Sequence, residues 1–152
     1  MTREEKVIIK TPNGKEFVQV LDLRWRVLDE PLSCSHQTLP SKSDEKPDVI
    51  HVVALKNNKV VSTVRLDPHP ERGDNVFLVR KMATEPRLMR KGIGAKVLDY
   101  AESIARKRGA KNIIAHAFKG AVPFYEHMGY KLNGRIEMHD GEETPEMVKS
   151  TF

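Results

Sequence analysis

Residues 76–95 read VFLVRKMATEPRLMRKGIGA, and the fold turns on how this segment divides. Val76 to Thr84 is apolar and partly β-branched, which predicts a strand stopped by Pro86. Further on, Ile93, Val97, Leu98, Ala101, Ile104 and Ala105 recur on one helical face, and Gly109 supplies a stop signal. Arg87-Leu88-Met89-Arg90-Lys91-Gly92-Ile93-Gly94-Ala95 therefore joins a strand to an amphipathic helix. Gly92 and Gly94 let the backbone approach a ligand closely, and the helix start points unpaired N–H groups and its positive dipole end at it. With the charges of Arg90 and Lys91, this is an anion site suited to a pyrophosphate. Two other phosphate motifs do not fit. Gly-x-x-x-x-Gly-Lys-Ser/Thr is absent, and Val97 stands where Gly-x-Gly-x-x-Gly needs its third glycine.

On the N-terminal side, Val7, Ile8 and Ile9 predict a short strand closed by Pro12-Asn13-Gly14. Phe17, Val20, Leu21, Arg24, Val27 and Leu28 follow at three- and four-residue steps, a one-faced helix ended by Pro31. Residues 31–47, rich in proline and serine, read as a long loop. Val49 to Leu55 and Lys59 to Leu66 form a β-hairpin turning at Asn57-Asn58. On the C-terminal side, Lys111 to Ala117 is strand-like and Val122 to His127 a short helix. Tyr130 to Met138 and Pro145 to Thr151 are two strands around Asp140-Gly141. The order β-α-β-β-β-α-β-α-β-β predicts an α/β protein of the α+β type, with a central mixed β-sheet flanked by helices. Strand–helix–strand units around residues 76–117 imply local parallel pairing. We expect one domain over residues 1–152, without internal repeats.

Hydrophobic residues make up 39% and charged residues 31%, too apolar a balance for a disordered chain. The single cysteine, Cys34, cannot form an internal disulfide. Acids in Met1-Thr-Arg-Glu-Glu-Lys stand where a signal peptide carries apolar residues, and no apolar run is long enough to span a bilayer. A cytoplasmic protein with no membrane partner is expected. The net charge of +5 and pI near 9.3 suit an anionic partner, either nucleic acid or a phosphorylated cofactor. Zinc-ligand spacing, a helix-turn-helix and interleaved exposed aromatics are not apparent, which argues against nucleic acid. Arg106, Lys107, Arg108 and Lys111 gather at a helix end, where cations favour the dipole, and read as a solvated face.

The segment Leu78-Val79-Arg80-Lys81-Met82-Ala83-Thr84, then Pro86, then Arg90-Lys91-Gly92-Ile93-Gly94, resembles motif A of the GCN5-related N-acetyltransferases. Downstream, Ala121-Val122-Pro123-Phe124-Tyr125-Glu126-His127-Met128-Gly129-Tyr130 is similar to that family's Ala-x-x-Phe-Tyr-x-x-x-Gly-Phe/Tyr segment. The spacing of the two makes the pair far more specific than either alone. Leu23-Arg24-Trp25-Arg26-Val27-Leu28 and Pro31-Leu32 also resemble the first helix of a poorly characterised branch. The pattern departs at Met89, where Gln or Arg is usual, and Arg90 or Arg87 then stands in for that side chain. His116 occupies a place where relatives often carry Asn.

The resemblance implies the acyl-CoA N-acyltransferase fold, its sheet splayed between two central strands with acetyl-CoA in the splay. It implies direct attack of a primary amine on the thioester in a ternary complex, without a metal. Met82, Ala83, Thr84, Met89, Arg90, Lys91, Gly92, Ile93, Gly94, Ala95 and Phe124 would hold the cofactor, and Tyr125 would protonate the departing thiolate. Candidates for the general base are Glu85, His116, Glu143 and Glu146. Arg24 and Trp25 are placed at the acceptor pocket. Asp140, Glu142, Glu143 and Glu146 form either an acidic cluster that attracts a cationic amine or a solvated turn. A small-molecule amine or a peptide fits as acceptor, and a homodimer is compatible with the family. The competing readings are a basic nucleic-acid-binding module and a CoA-binding sensor that has lost activity.

Overall fold

The computed structural model describes residues 6–29, 40–118, 120–139 and 141–151. The strands are β1 (Val7–Lys10), β2 (Ile50–Lys56), β3 (Lys59–Pro68), β4 (Val76–Thr84), β5 (Asn112–His116), β6 (Lys131–His139) and β7 (Glu142–Ser150). The α-helices are α1 (Gly14–Arg24), α2 (Ile93–Lys107) and α3 (Val122–His127). The strands follow the hydrogen-bonded order β1-β2-β3-β4-β5-β7-β6 in a seven-stranded mixed sheet. This is the predicted element order. The chain divides into two units, one running up to Arg65 and including Lys81–Ala101, the other made of Leu66–Arg80 and the residues from Glu102 on.

In the first unit, α1 starts earlier than its apolar spacing suggests, because Asn13 caps it. The Asn13 side chain accepts from the Glu16 N–H and the Glu16 carboxylate accepts from the Asn13 N–H, both at 2.9 Å. The helix regularity stops at Arg24 and continues as a π-type turn, Trp25–Asp29. Val20 and Leu23 on one face pack with Val53, Leu55, Val60 and Ala83, and Phe17, Val27 and Leu28 pack against that cluster. Full burial of each such aliphatic side chain stabilises by about 1.5–3 kcal/mol. The β2–β3 turn has both Asn57 and Asn58 at positive φ, 53° and 63°, as a two-residue turn matched to strand twist requires.

In the second unit, β4 pairs with β5 in parallel from Val76↔Asn112 to Leu78↔Ile114, and no further pair of these strands occurs among the described residues. β5 pairs antiparallel with β7 along its whole length, ending at His116↔Glu146. β6 pairs antiparallel with β7, with a register shift between Leu132 and Ile136. The β6–β7 hairpin is longer than predicted and includes Glu142, Glu143 and Thr144 in β7. Hydropathy alone missed this end of the strand because its residues are polar. Val76, Leu78 and Ile114 form the apolar cluster, with Val148 against it. Among the described residues no helix is long and apolar enough to cross a membrane.

Candidate active site

The first unit contains the strand end and loop that the sequence marks as an anion site. Within β4, Lys81 lies in the left-handed region at φ 51°, a kink uncommon for a residue with a Cβ. The strand then runs through half-buried Met82, buried Ala83 and half-buried Thr84, whose hydroxyl lies 2.8 Å from that of Ser62. The Glu85 N–H donates to the Val61 carbonyl, Pro86–Leu88 makes one 3-10 turn, and buried Leu88 anchors it. Met89, Arg90, Lys91 and Gly92 are exposed, with Arg90 and Gly92 both at positive φ, 64° and 82°. Helix α2 follows at once, and Lys96 N–H donates to the Gly92 carbonyl. The N–H groups of Ile93, Gly94 and Ala95 belong to the first turn, where helical geometry supplies no acceptor. Backbone curled by two left-handed residues, adjacent cations and first-turn donors fit a phosphate group.

Glu85 is held by Arg26, whose two terminal nitrogens donate to its carboxylate at 2.6 and 3.1 Å, while Arg26 Nε donates to Asp22 at 2.9 Å. The Arg26 hydrogen bonds lower the Glu85 pKa, which weakens it as a base. Asp22, Arg26, Glu85 and Arg87 border an open groove of about 610 Å³, with Val18 and Lys59 on its wall. Arg24 is buried. Its Nη1 donates at 2.9 Å to Asp44 Oδ1, which also accepts from Arg65 Nη1 at 2.9 Å, and its guanidinium lies 5.6 Å from the Phe17 ring centre. That placement makes Arg24 part of a buried ion cluster. Trp25 is half-buried at the start of the π-type turn.

The second unit contains the remaining candidates. Tyr125 is buried on α3, its ring edge-on to Phe124 at 5.2 Å and to Tyr130 at 5.4 Å. Burial pushes its hydroxyl pKa up to about 12. His116 ends β5, with Nε2 lying 3.0 Å from Glu146 Oε1 and 2.9 Å from Glu137 Oε2. Glu146 is 1% exposed and accepts from Arg72 at 2.8 and 3.0 Å and from Asn133 at 2.6 Å. Burial pushes its pKa up, but the bonds from Arg72, Asn133 and His116 outweigh this and hold it at about 2.

The acidic residues near the C-terminus thus do not act as one group. Glu142 and Glu143 are exposed on β7, Glu146 is buried under Arg72, and Asp140, like Cys34, Pro31 and Leu32, lies outside the described residues. Sequence reading missed Asp44, Glu102, Glu137 and His139. Glu102 accepts from the Tyr130 hydroxyl at 2.6 Å and from Lys149 at 2.8 Å, a buried network whose only signal was an acid on the apolar face of a helix. Glu137 and His139 carried the signal of an acid and an imidazole two apart on one strand face.

A seven-stranded mixed sheet carrying a cationic, positive-φ loop at the start of α2 defines an acyl-CoA N-acyltransferase fold. The model of the acetyltransferase (GNAT) family matches residues 17–130, and the chain belongs to that family. An uncharacterized acetyltransferase of Streptococcus pyogenes is 36% identical over 59 residues, which is 39% of this chain and 40% of the relative. The match therefore spans less than half the length of this curated relative. The crystal structure of an acyl-CoA N-acyltransferase from Pseudomonas aeruginosa superposes with a TM-score of 0.76 at 18% identity, covering 97% of this chain and 100% of that one. An aminoglycoside 6′-N-acetyltransferase complexed with coenzyme A gives 0.76 at 18% identity, covering 94% and 96%. At these identities the likeness shows the fold.

Proposed function

We propose that the chain is an acetyl-CoA-dependent N-acetyltransferase that acetylates a primary amine of a small-molecule or peptide acceptor, working as one cytoplasmic domain. The observation that carries this reading is the loop Met89–Gly92. It is exposed, cationic and bent by Arg90 and Gly92 at positive φ, and it opens into α2 at the position of the family's motif A. Coenzyme A is the ligand of a fold relative, and its pyrophosphate matches the chemistry of this loop. Acetyl-CoA supplies an activated acetyl thioester.

The residues of this chain then bind, polarise and donate. N–H groups of Gly92, Ile93, Gly94 and Ala95 hold phosphate oxygens, with Arg90 and Lys91 adding charge and Met89 contributing backbone. Backbone groups of Met82 and Thr84 orient the acyl arm, and an N–H there polarises the carbonyl. Phe124 supplies an apolar contact. Tyr125 holds the proton that the thiolate leaving group needs, and a phenol with a pKa pushed up by burial keeps that proton at neutral pH. Glu85 and Glu146 are tied up as ions by Arg26 and Arg72, so the proton of the amine passes to His116, to the exposed Glu143 or to water.

Thermal unfolding with and without acetyl-CoA, beside a nonspecific DNA duplex at matched ionic strength, tests the reading. A ligand of the folded state alone stabilises by about 2.7 kcal/mol at a hundred times its Kd. We expect a rise in Tm with acetyl-CoA and release of CoA when amines are added. No shift with acetyl-CoA together with a salt-sensitive shift with DNA would overturn it.

A further inference from the structure

The second unit holds a convergence of side chains of which two, Glu137 and His139, have no part in the acyl transfer proposed above, while His116 Nε2 can take a proton there only when it holds no metal. Glu137 and His139 project from one face of β6, and both their ligand atoms and that of His116 lie within 4.8 Å of one another. The two imidazoles address opposite oxygens of one carboxylate. His116 Nε2 lies 2.9 Å from Glu137 Oε2, and His139 Nε2 lies 3.5 Å from Glu137 Oε1. The imidazole rings are 5.3 Å apart between centres.

We propose that His116, Glu137 and His139 form a binding site for a divalent transition-metal ion of the zinc type. Zinc bonds of about 2.0–2.2 Å to nitrogen and oxygen place neighbouring ligand atoms of a tetrahedron about 3.3–3.6 Å apart. The 2.9 and 3.5 Å separations run to different oxygens of Glu137; with one oxygen as ligand the three atoms lie within 4.8 Å of one another, and side-chain rotation must draw them in to that spacing. Two imidazoles and one carboxylate select zinc, cobalt or nickel over magnesium and calcium, which prefer all-oxygen shells. Three protein ligands leave the fourth position for water, and the half-exposed Glu137 side chain gives the ion a path in.

Two further observations point to a cation. His139 Nε2 is buried without a hydrogen-bond partner among the described residues, at a distance from Glu137 too long for a good bond. His116 Nε2, with at most one proton, faces two carboxylates, Glu137 at 2.9 Å and Glu146 at 3.0 Å. Glu146 already receives both terminal nitrogens of Arg72, so its charge is met. Among the described residues the Glu137 carboxylate contacts the two imidazoles and feels the Arg72 guanidinium through space, and a metal ion would bring its charge and both Nε2 lone pairs together. Glu146 then stays outside the ligand set, beside His116. The site stands independently of the acetyltransferase reading, because it binds metal whether or not the chain binds acetyl-CoA.

Isothermal titration of zinc chloride into the chelator-stripped full-length chain tests it, with His139→Ala and Glu137→Gln alongside and magnesium as control. One zinc per chain, no magnesium heat, and at least a tenfold rise in Kd in either variant are expected. Absence of zinc binding, or binding by both variants as tight as in the parent, would overturn the proposal by placing any metal elsewhere. Should a variant fail to fold, imidazole 1H–15N spectra of the unmodified chain decide. Zinc must shift the Nε2 signals of His116 and His139 together, and unchanged signals reject the site.

Discussion

The role proposed for Tyr125 rests on where it is buried. Among Phe124, Tyr130 and the rest of its surroundings the phenol loses hydration, which disfavours the phenolate and raises its pKa to about 12. Tyr125→Phe keeps the ring packing and removes only the hydroxyl. We expect kcat to fall by about 10²-fold or more with the KM for acetyl-CoA within twofold, the usual scale of a lost general acid. Steady-state kinetics with chemistry rate-limiting check it, and unchanged turnover assigns the proton to another group. Glu146 works in the opposite direction. Its folded pKa of about 2 lies below the ordinary 4.5, so its contribution to stability is complete above pH 4.5 and is lost as pH falls toward 2. Glu146→Gln should therefore flatten the acid-induced loss of stability over that window, as read by denaturant unfolding at several pH values. An unchanged acid limb would mean that other carboxylates dominate it.

At the next scale the proposed cofactor site is a loop together with the helix it opens. Gly92 has no atom within 4 Å of where a Cβ would sit, so space does not demand glycine there, but φ +82° does. Gly94, in the first turn of α2, is constrained by function in our reading. Gly94→Glu puts a carboxylate among the donors proposed for phosphate. Because acids suit a helix N-terminus, the fold should survive. The Kd for CoA should rise by more than tenfold, about 1.4 kcal/mol, while the Tm of the unliganded protein moves little. Retained CoA affinity would move the cofactor elsewhere. Elements of this kind were legible in advance, since strand β4, the amphipathic α2 and the Asn57-Asn58 turn are each dictated by neighbours in the chain. The extra turn at the start of α1 and the polar start of β7 were not. The first depends on a capping box reaching back to Asn13, and the second on pairing with β6.

Across the molecule, residues far apart in sequence are tied by ions. Asp44 accepts from Arg24 and Arg65, at separations of 20 and 21 residues, and Ser41 donates to it as well. Burial pushes the Asp44 pKa up, but the two guanidinium groups and the Ser41 N–H pull it well below the usual carboxylate range. Asp44→Ala would leave two buried arginines facing each other. Removing one partner of a buried pair typically costs about 3–5 kcal/mol, and we expect a loss of that order in chemical denaturation. A loss below about 1 kcal/mol, the scale of an exposed pair, would show that the cluster is solvated.

The sequence by itself determined the order of strands and helices and the family, and marked the loop proposed here to hold an anion, because hydrophobic period, turn chemistry and motif spacing are local in the chain. Only the tertiary structure decided that Arg24 is buried against Asp44, that Arg26 holds Glu85, and that Glu146 is held by Arg72. It alone brought His116, Glu137 and His139 together. Each of these depends on side chains from different elements meeting at 2.6–3.0 Å. Composition does not encode such a meeting, and strand register and packing do.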